Sequence, residues 1–237
     1  MRWVRCRGPR VPRIGGLAAA VGLQERGWDV TVLERSAALP ETGTALGIWP
    51  QALGALDGLG LGDAVRAAGR AQEDGVVLRP DGSRIGTLRV GRMREPVRLI
   101  MRPVLLGLLY GRLAPGTVRF GHSAEDVPEA DVVIAADGIR SRIRERLLGE
   151  RYALRPAGGH VWRGTSSASI ATGGEVWGRG RKFGFTPQAD GLTNFYAVRY
   201  APMPETADIG ELREAFGGWC DPVTAVLDGV RPGGPDG

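Results

Sequence analysis

One short stretch in the middle of the chain constrains its fold more than any other. Residues 131–136 read DVVIAA, an apolar run of strand length, and Asp137-Gly138 follows at once. Ser141 then stands before a basic segment that predicts a helix. A buried strand, a tight turn and a helix are the repeating pieces of α/β folds with a parallel sheet. Because ligands of such folds bind at the carboxyl ends of the strands, Asp137 is predicted to face a ligand.

A second helix and strand lie near the amino terminus. Residues 14–26 carry the small apolar residues of a buried helix face, and Gly27 is predicted to end that helix. Residues 29–33 read DVTVL, a β-branched run that predicts a short buried strand. Together with the stretch around Asp137, these elements predict an α/β fold with a Rossmann-like parallel sheet.

The spacing at the ends of this helix and strand is typical of a nucleotide site. Gly15 and Gly16 open the helix, and Glu34 follows the strand, 18 positions after Gly16. The amino terminus of a helix offers unpaired N–H groups and a partial positive charge to a pyrophosphate. A carboxylate about 20 residues further on accepts hydrogen bonds from a ribose. The same glycines are equally consistent with the plain start of a buried helix, so this pattern alone does not decide.

The glycine pattern departs from the GxGxxG sequence of dinucleotide-binding turns. When Gly16 is aligned with the last glycine, Val11 takes the place of the first and Arg13 that of the second. Valine does not easily adopt a positive φ, and arginine puts bulk where the backbone must approach a phosphate. Residues 1–13 also contain two prolines, each of which removes a backbone donor, so no strand is expected there.

The carboxyl-terminal part of the chain has a different pattern. Residues 150–204 alternate and are rich in aromatic residues, threonine and glycine, which predicts an antiparallel sheet. The other predicted elements are helical segments at 50–68, 102–113 and 209–216, and a hairpin at 76–90 that turns at Asp81-Gly82. The predicted ranges are an atypical basic segment at 1–13, a first domain at 14–149, part of a second at 150–228 and a disordered tail at 229–237.

Charge and composition argue against several classes of function. The net charge is +5, but Lys182 is the only lysine and the arginines are dispersed apart from one cluster at the amino terminus, so no nucleic-acid partner is expected. Two cysteines and two histidines without ligand spacing predict neither a metal site nor a disulfide scaffold. The longest apolar run, residues 99–106, is broken by Arg102 and Pro103, so no membrane span is expected. The expected location is the cytoplasm.

Residues 130–144 resemble the Asp-Gly motif of the class A FAD-dependent monooxygenases, the aromatic hydroxylase-like flavoproteins. In that family a strand leads into Asp-Gly, with a serine three positions after the glycine and an arginine three further on. Here these residues are Asp137, Gly138, Ser141 and Arg144. The resemblance runs from Ile14 to about Leu227. Further segments that resemble the family, in the same order, are residues 42–50, Arg102, residues 161–164 and residues 177–187.

The resemblance implies FAD as cofactor, NAD(P)H as co-substrate and a small organic, often aromatic, substrate that is hydroxylated or epoxidised. It makes 14–149 the FAD-binding domain and 150–228 part of a substrate domain. The flavin carries the difficult step in such enzymes, so no side chain is nominated as catalytic. The residues implied to bind the cofactor are Gly15 and Gly16 at the pyrophosphate, Glu34 at the adenosine ribose, and Arg35, Arg102, Asp137 and Gly138 around it.

Two alternatives to an active monooxygenase stay open. The family's third flavin motif, a Gly-Asp followed by a His and a Pro, is not found in the sequence, and the first turn departs from the family pattern. The chain is therefore also consistent with a truncated, non-catalytic remnant whose FAD binding is impaired. An NAD(P)-binding dehydrogenase is disfavoured, because such folds do not call for the Asp-Gly-x-x-Ser-x-x-Arg pattern. The sequence predicts neither the oligomeric state nor which organic substrate is used.

Overall fold

The structure is a computed structural model that describes residues 2–5, 14–91, 93–122, 130–201 and 208–230. The strands are β1 (Arg2–Arg5), β2 (Asp29–Leu33), β3 (Ala45–Ile48), β4 (Arg70–Ala71), β5 (Gly75–Leu78), β6 (Arg84–Leu88), β7 (Arg98–Met101), β8 (Val118–Arg119), β9 (His160–Ser166), β10 (Gly174–Gly178), β11 (Arg181–Pro187) and β12 (Thr193–Arg199). The helices are α1 (Ile14–Gln24), α2 (Pro50–Asp57), α3 (Gly62–Ala68), α4 (Arg102–Gly111), α5 (Arg142–Leu148), α6 (Ile209–Phe216) and α7 (Asp221–Asp228), with a 3-10 turn at Glu150–Tyr152.

The chain folds as two compact units that interleave along the sequence. The first unit comprises residues 1–42, 54–65 and 102–155, and the second comprises residues 43–53, 66–101 and 156–237. The sequence predicts contiguous ranges, 14–149 and 150–228, and these domain limits stay a prediction. The described residues do not include Val11 or Arg13. Of the predicted disordered tail, they include only residues 229 and 230.

The first unit is built on a parallel sheet whose strand order is β1-β2-β8. Helices α1 and α4 pack together in this unit. Their buried faces follow helical spacing: in α1 they are Leu17, Ala20 and Val21, and in α4 they are Leu105, Leu106 and Leu109. Full burial of each such leucine contributes about 1.5–3 kcal/mol, so this packing holds the beginning of each helix in place.

Two sequence-based expectations about strands were wrong. Residues 2–5 form β1, because both prolines of the segment lie after the strand and remove no donor from its ladder. Residues 131–136, which carry the strongest strand pattern, form only a single bridge at Ala135. A segment with high strand propensity forms a strand only when a neighbouring strand pairs with it. Among the described residues, no strand forms a ladder with this segment. Val132 accordingly keeps 38% of its surface exposed.

The second unit contains the predicted antiparallel sheet, which is confirmed. Its six strands run in the order β6-β5-β10-β11-β12-β9, and every pair is antiparallel except β5 with β10. The predicted hairpin at 76–90 supplies β5 and β6. The buried core of this unit includes Phe183, Phe195 and Phe216, with the rings of Phe183 and Phe195 stacked 5.7 Å apart. A separate three-stranded sheet, in the order β3-β7-β4, also belongs to this unit.

Candidate functional site

A cavity of about 660 Å³ lies in the first unit at the amino-terminal end of α1. This volume is within the range of pockets that enclose cofactors and other small ligands. The residues that line it come from the start of α1, the start of α4, and the segment that runs from Ala135 into α5. They are Ile14, Gly15, Arg102, Ala135, Ala136, Asp137, Gly138, Ser141, Ile143, Arg144, Leu147 and Leu148.

The start of α1 presents open backbone to this cavity. A Cβ atom built on Gly15 would meet no heavy atom within 4 Å. The first N–H groups of a helix have no partner inside the helix, and they carry part of its positive dipole charge. α1 is 11 residues long, so the dipole is well developed at its beginning. This geometry suits a phosphate or another anion beside Gly15.

Asp137 lines the cavity and also caps α5. Its side chain is 1% exposed, and Oδ1 accepts a hydrogen bond of 2.5 Å from Ser141 Oγ. Oδ2 accepts one of 3.3 Å from the backbone N–H of Ile143, and Ser141 Oγ accepts one of 3.0 Å from the N–H of Arg144. The carboxylate therefore orders the beginning of the helix that forms one wall of the cavity. This structural role accompanies the predicted contact with a cofactor.

Two arginines line the same cavity. Arg102 is the first residue of α4 and already takes part in an interaction within the protein. Arg144 donates from Nη2 to the carbonyl of Ile139 at 2.7 Å, while its Nε is buried without a hydrogen-bond partner among the described residues. An unmet buried donor costs about 1–3 kcal/mol. Because this Nε is shielded inside the protein, its unmet hydrogen bond is a cost to the folded state and gives no donor to the cavity.

The remaining predicted site residues do not line this cavity. Glu34 is 1% exposed at the end of β2, and its Oε1 accepts a hydrogen bond of 2.8 Å from the N–H of Ser36. Gly16 is buried within α1, and Arg35 is exposed. The cavity therefore brings together four predicted residues, Gly15, Arg102, Asp137 and Gly138. The predicted contact of Glu34 with an adenosine ribose stays a prediction.

Sequence reasoning did not nominate several residues that line the cavity. Ser141 and Arg144 carried a usable signal, because they belong to the same spaced motif as Asp137. The apolar walls formed by Leu147 and Leu148 carried none, since two leucines at the end of a short helix look like ordinary packing residues. Both leucines are more than half exposed in the structure, at 65% and 55%.

Two features are absent from the described part of the chain. Nowhere in it do three or more His, Cys, Asp or Glu side chains gather in a group that could hold a metal ion. Within the same residues, none of the helices combines the length and the apolar character that crossing a membrane requires.

No family model matches the sequence, but individual relatives do. The chain is 29% identical to the aurachin C monooxygenase/isomerase of Stigmatella aurantiaca, over 91% of this chain and 63% of that protein. It is 32% identical to the 3-amino-4-hydroxybenzoate 2-monooxygenase of Streptomyces cremeus, over 90% of this chain and 62% of that protein. It is 28% identical to the FAD-dependent urate hydroxylase of Klebsiella oxytoca, over 92% and 65%. The chain thus spans less than two thirds of the length of these relatives.

Solved structures share the fold. Klebsiella pneumoniae HpxO, in complex with FAD and uric acid, superposes with a TM-score of 0.81 at 23% identity, covering 97% of this chain and 65% of that one. A salicylate hydroxylase substrate complex superposes with a TM-score of 0.76 at 19% identity, covering 98% and 66%. The predicted α/β fold with an added antiparallel sheet is therefore confirmed. The resemblance drawn from the motifs is confirmed, because the chain is similar in sequence to FAD-dependent monooxygenases and hydroxylases and shares the fold of solved flavoprotein hydroxylases.

Proposed function

We propose that this chain binds FAD in the first unit and forms part of a monooxygenase. The enzyme would use NAD(P)H and oxygen to hydroxylate or epoxidise a small organic, often aromatic, substrate. The observation that carries the proposal is the cavity in which the open start of α1 faces the Asp137 motif. The sequence relatives support the same chemistry, since their names describe monooxygenases and hydroxylases of aromatic or heterocyclic compounds.

The residues around the cavity fit an FAD molecule. The space in front of Gly15 admits a pyrophosphate next to the helix dipole. Arg102 and Arg144 line the cavity, and guanidinium groups are suited to phosphate or carbonyl oxygens. At the cavity, the residues that would hold the cofactor are Gly15 at the pyrophosphate and Arg102, Asp137 and Gly138 around it. Gly16, Glu34 and Arg35 do not line the cavity, and we propose them as contacts for parts of the cofactor that extend beyond it, with Glu34 at the adenosine ribose.

When bound, FAD supplies the transfer of electrons from NAD(P)H to oxygen. The protein's own contribution is to bind, orient and shield. The start of α1 and the two arginines balance the negative charge of the phosphates. The side chains of Ile143, Leu147 and Leu148 form the apolar part of the cavity lining. Asp137 keeps α5 in place through its hydrogen bonds, and no side chain is assigned as a general acid or base.

The two alternatives differ in what they predict for ligands. A non-catalytic remnant would fold without retaining flavin, and it is not favoured, because the match to active relatives extends over about nine tenths of the chain. A dehydrogenase would bind NAD in place of FAD, and the names of the relatives give it no support. We also propose that the chain has no nucleic-acid partner, because the net charge is only +5 and most arginines are dispersed along the sequence. A cytoplasmic location is proposed as well.

A reconstitution experiment tests the proposed function. The purified chain is incubated with FAD or with NAD, freed of unbound ligand by gel filtration and examined for visible flavin absorbance. We expect retained FAD, and consumption of NAD(P)H and oxygen that increases when aromatic acids or heterocycles are added. A folded protein, as judged by circular dichroism, that retains no flavin would overturn the proposal. Retention of NAD but not FAD would support the dehydrogenase alternative.

A further inference from the structure

A second cavity, of about 350 Å³, lies in the other unit. It is formed by the turn between β10 and β11, the end of β12 and the last turn of α6. Three of its lining residues are arginines, and Glu214 is the only carboxylate among them. The lining residues used below are Arg179, Arg181, Arg199, Tyr200 and Glu214. We call this space the arginine cavity.

Arg181 is held in a fixed position at the arginine cavity. Its Nη1 donates to the carbonyl of Ala215 in the last turn of α6. Its guanidinium also lies over the ring of Trp219, 5.7 Å from the centroid, and that ring is buried. The hydrogen bond to Ala215 and the contact with the Trp219 ring fix the orientation of the Arg181 guanidinium. Its remaining N–H groups are therefore oriented before any ligand binds.

The other two arginines add donors in excess of the local acceptors. Arg199 uses Nη1 for an ion pair of 3.1 Å with Glu211. Arg179 is exposed, and no acidic side chain of the described residues pairs with it. Each guanidinium has five N–H donors, so most of those around this cavity have no partner among the described residues. Glu214 is exposed and offsets only part of the positive charge.

We propose that the arginine cavity is a binding site for a phosphate group. Arginine forks match the oxygens of phosphate in pairs, and a cavity with several of them favours a doubly charged ligand over a singly charged carboxylate. Tyr200 stands on the lining with 65% of its surface exposed, where a base attached to the phosphate could stack on it. Free phosphate and a nucleotide share this chemistry. The site lies in the second unit and does not depend on the proposed FAD cavity.

Calorimetric titration of the purified chain with inorganic phosphate and with adenosine monophosphate tests the proposal. Arg179→Gln and Arg181→Gln are each expected to weaken phosphate binding roughly tenfold or more, because a charge-assisted hydrogen bond is lost. Arg89→Gln serves as the matched control, since Arg89 is an exposed arginine of the same unit that does not line the cavity. Thermal unfolding of each variant checks that the fold is retained, and Arg179, being exposed, is the safer substitution.

The two probes distinguish the source of the phosphate. Stacking on Tyr200 would make the nucleotide bind roughly tenfold more tightly than free phosphate, and Tyr200→Leu would remove that difference. Equal binding of the two probes would still support a phosphate site, with free phosphate as its ligand. Absence of binding of either probe would overturn the proposal. So would phosphate binding that Arg179→Gln and Arg89→Gln leave equally unchanged.

Discussion

At the scale of single residues, the second unit contains a polar network that sets a clear dependence on pH. The hydroxyl of Tyr196 donates to Glu175 Oε1, which also accepts from Lys182 Nζ at 3.3 Å. Trp177 Nε1 donates to Glu175 Oε2 at 2.6 Å. Burial opposes the ionisation of Glu175, but these hydrogen bonds and the charge of Lys182 outweigh it and hold the pKa of Glu175 below its usual range.

Tyr196 is expected to make the protein less stable in strong base. Burial, followed by the hydrogen bond to Glu175 and its negative charge, raises the pKa of Tyr196 well above its ordinary value of 10.0. A folded-state pKa above the unfolded value gives stability that is complete below the unfolded pKa and is lost as the pH rises beyond it. The free energy of unfolding of the wild type should therefore fall towards that of Tyr196→Phe above about pH 10. Denaturant unfolding at several pH values measures this, and a constant difference between the two proteins would contradict it.

At the scale of elements, the beginning of α5 depends on one hydroxyl. Ser141 Oγ accepts from the N–H of Arg144 and donates to Asp137, and the side chain is 5% exposed. Ser141→Ala should lower the free energy of unfolding by about 1 kcal/mol. The variant loses both the hydrogen bond that Ser141 accepts from the N–H of Arg144 and the one that it donates to Asp137. Ser169→Ala, at an exposed serine of the second unit, should change it by less than about 0.5 kcal/mol. Equal losses in the two variants, measured by denaturant unfolding, would refute the capping role.

Some helices and strands could be predicted from the sequence, and others could not. The end of α1 was approximately predictable. The buried positions of the helix are spaced on one face, and Gly27, which adopts φ +78°, lies three residues after the last helical residue, Gln24. The hairpin of β5 and β6 was predictable from its turn residues. The segment before Asp137 was not, because strand pairing depends on a neighbour distant in sequence. Glu34 does not line the proposed FAD cavity. This depends on tertiary packing, which the spacing of residues in the sequence does not show.

At the scale of the whole molecule, the interleaving of the two units could not be predicted from local patterns. β5 pairs in parallel with β10, so that Val76 lies opposite Gly174, although nearly a hundred residues separate them in the chain. Such long-range pairing has no local sequence signal beyond the apolar character of each strand. The Asp-Gly motif was informative for a different reason. Its residues lie within one turn and one helix, so their spacing in sequence directly reflects their arrangement in space.

The central claim is that FAD binds in the cavity at the start of α1, and a titration with two glycine variants tests it most directly. Gly15 and Gly107 are both exposed helical glycines with no heavy atom within 4 Å of an added Cβ, but only Gly15 lines the cavity. Both Gly15→Leu and Gly107→Leu should therefore fold normally. FAD fluorescence titration should show affinity lowered at least roughly tenfold, a loss of about 1.4 kcal/mol, in Gly15→Leu alone. Unchanged FAD affinity in a folded Gly15→Leu protein, or equal loss in both variants, would contradict the account.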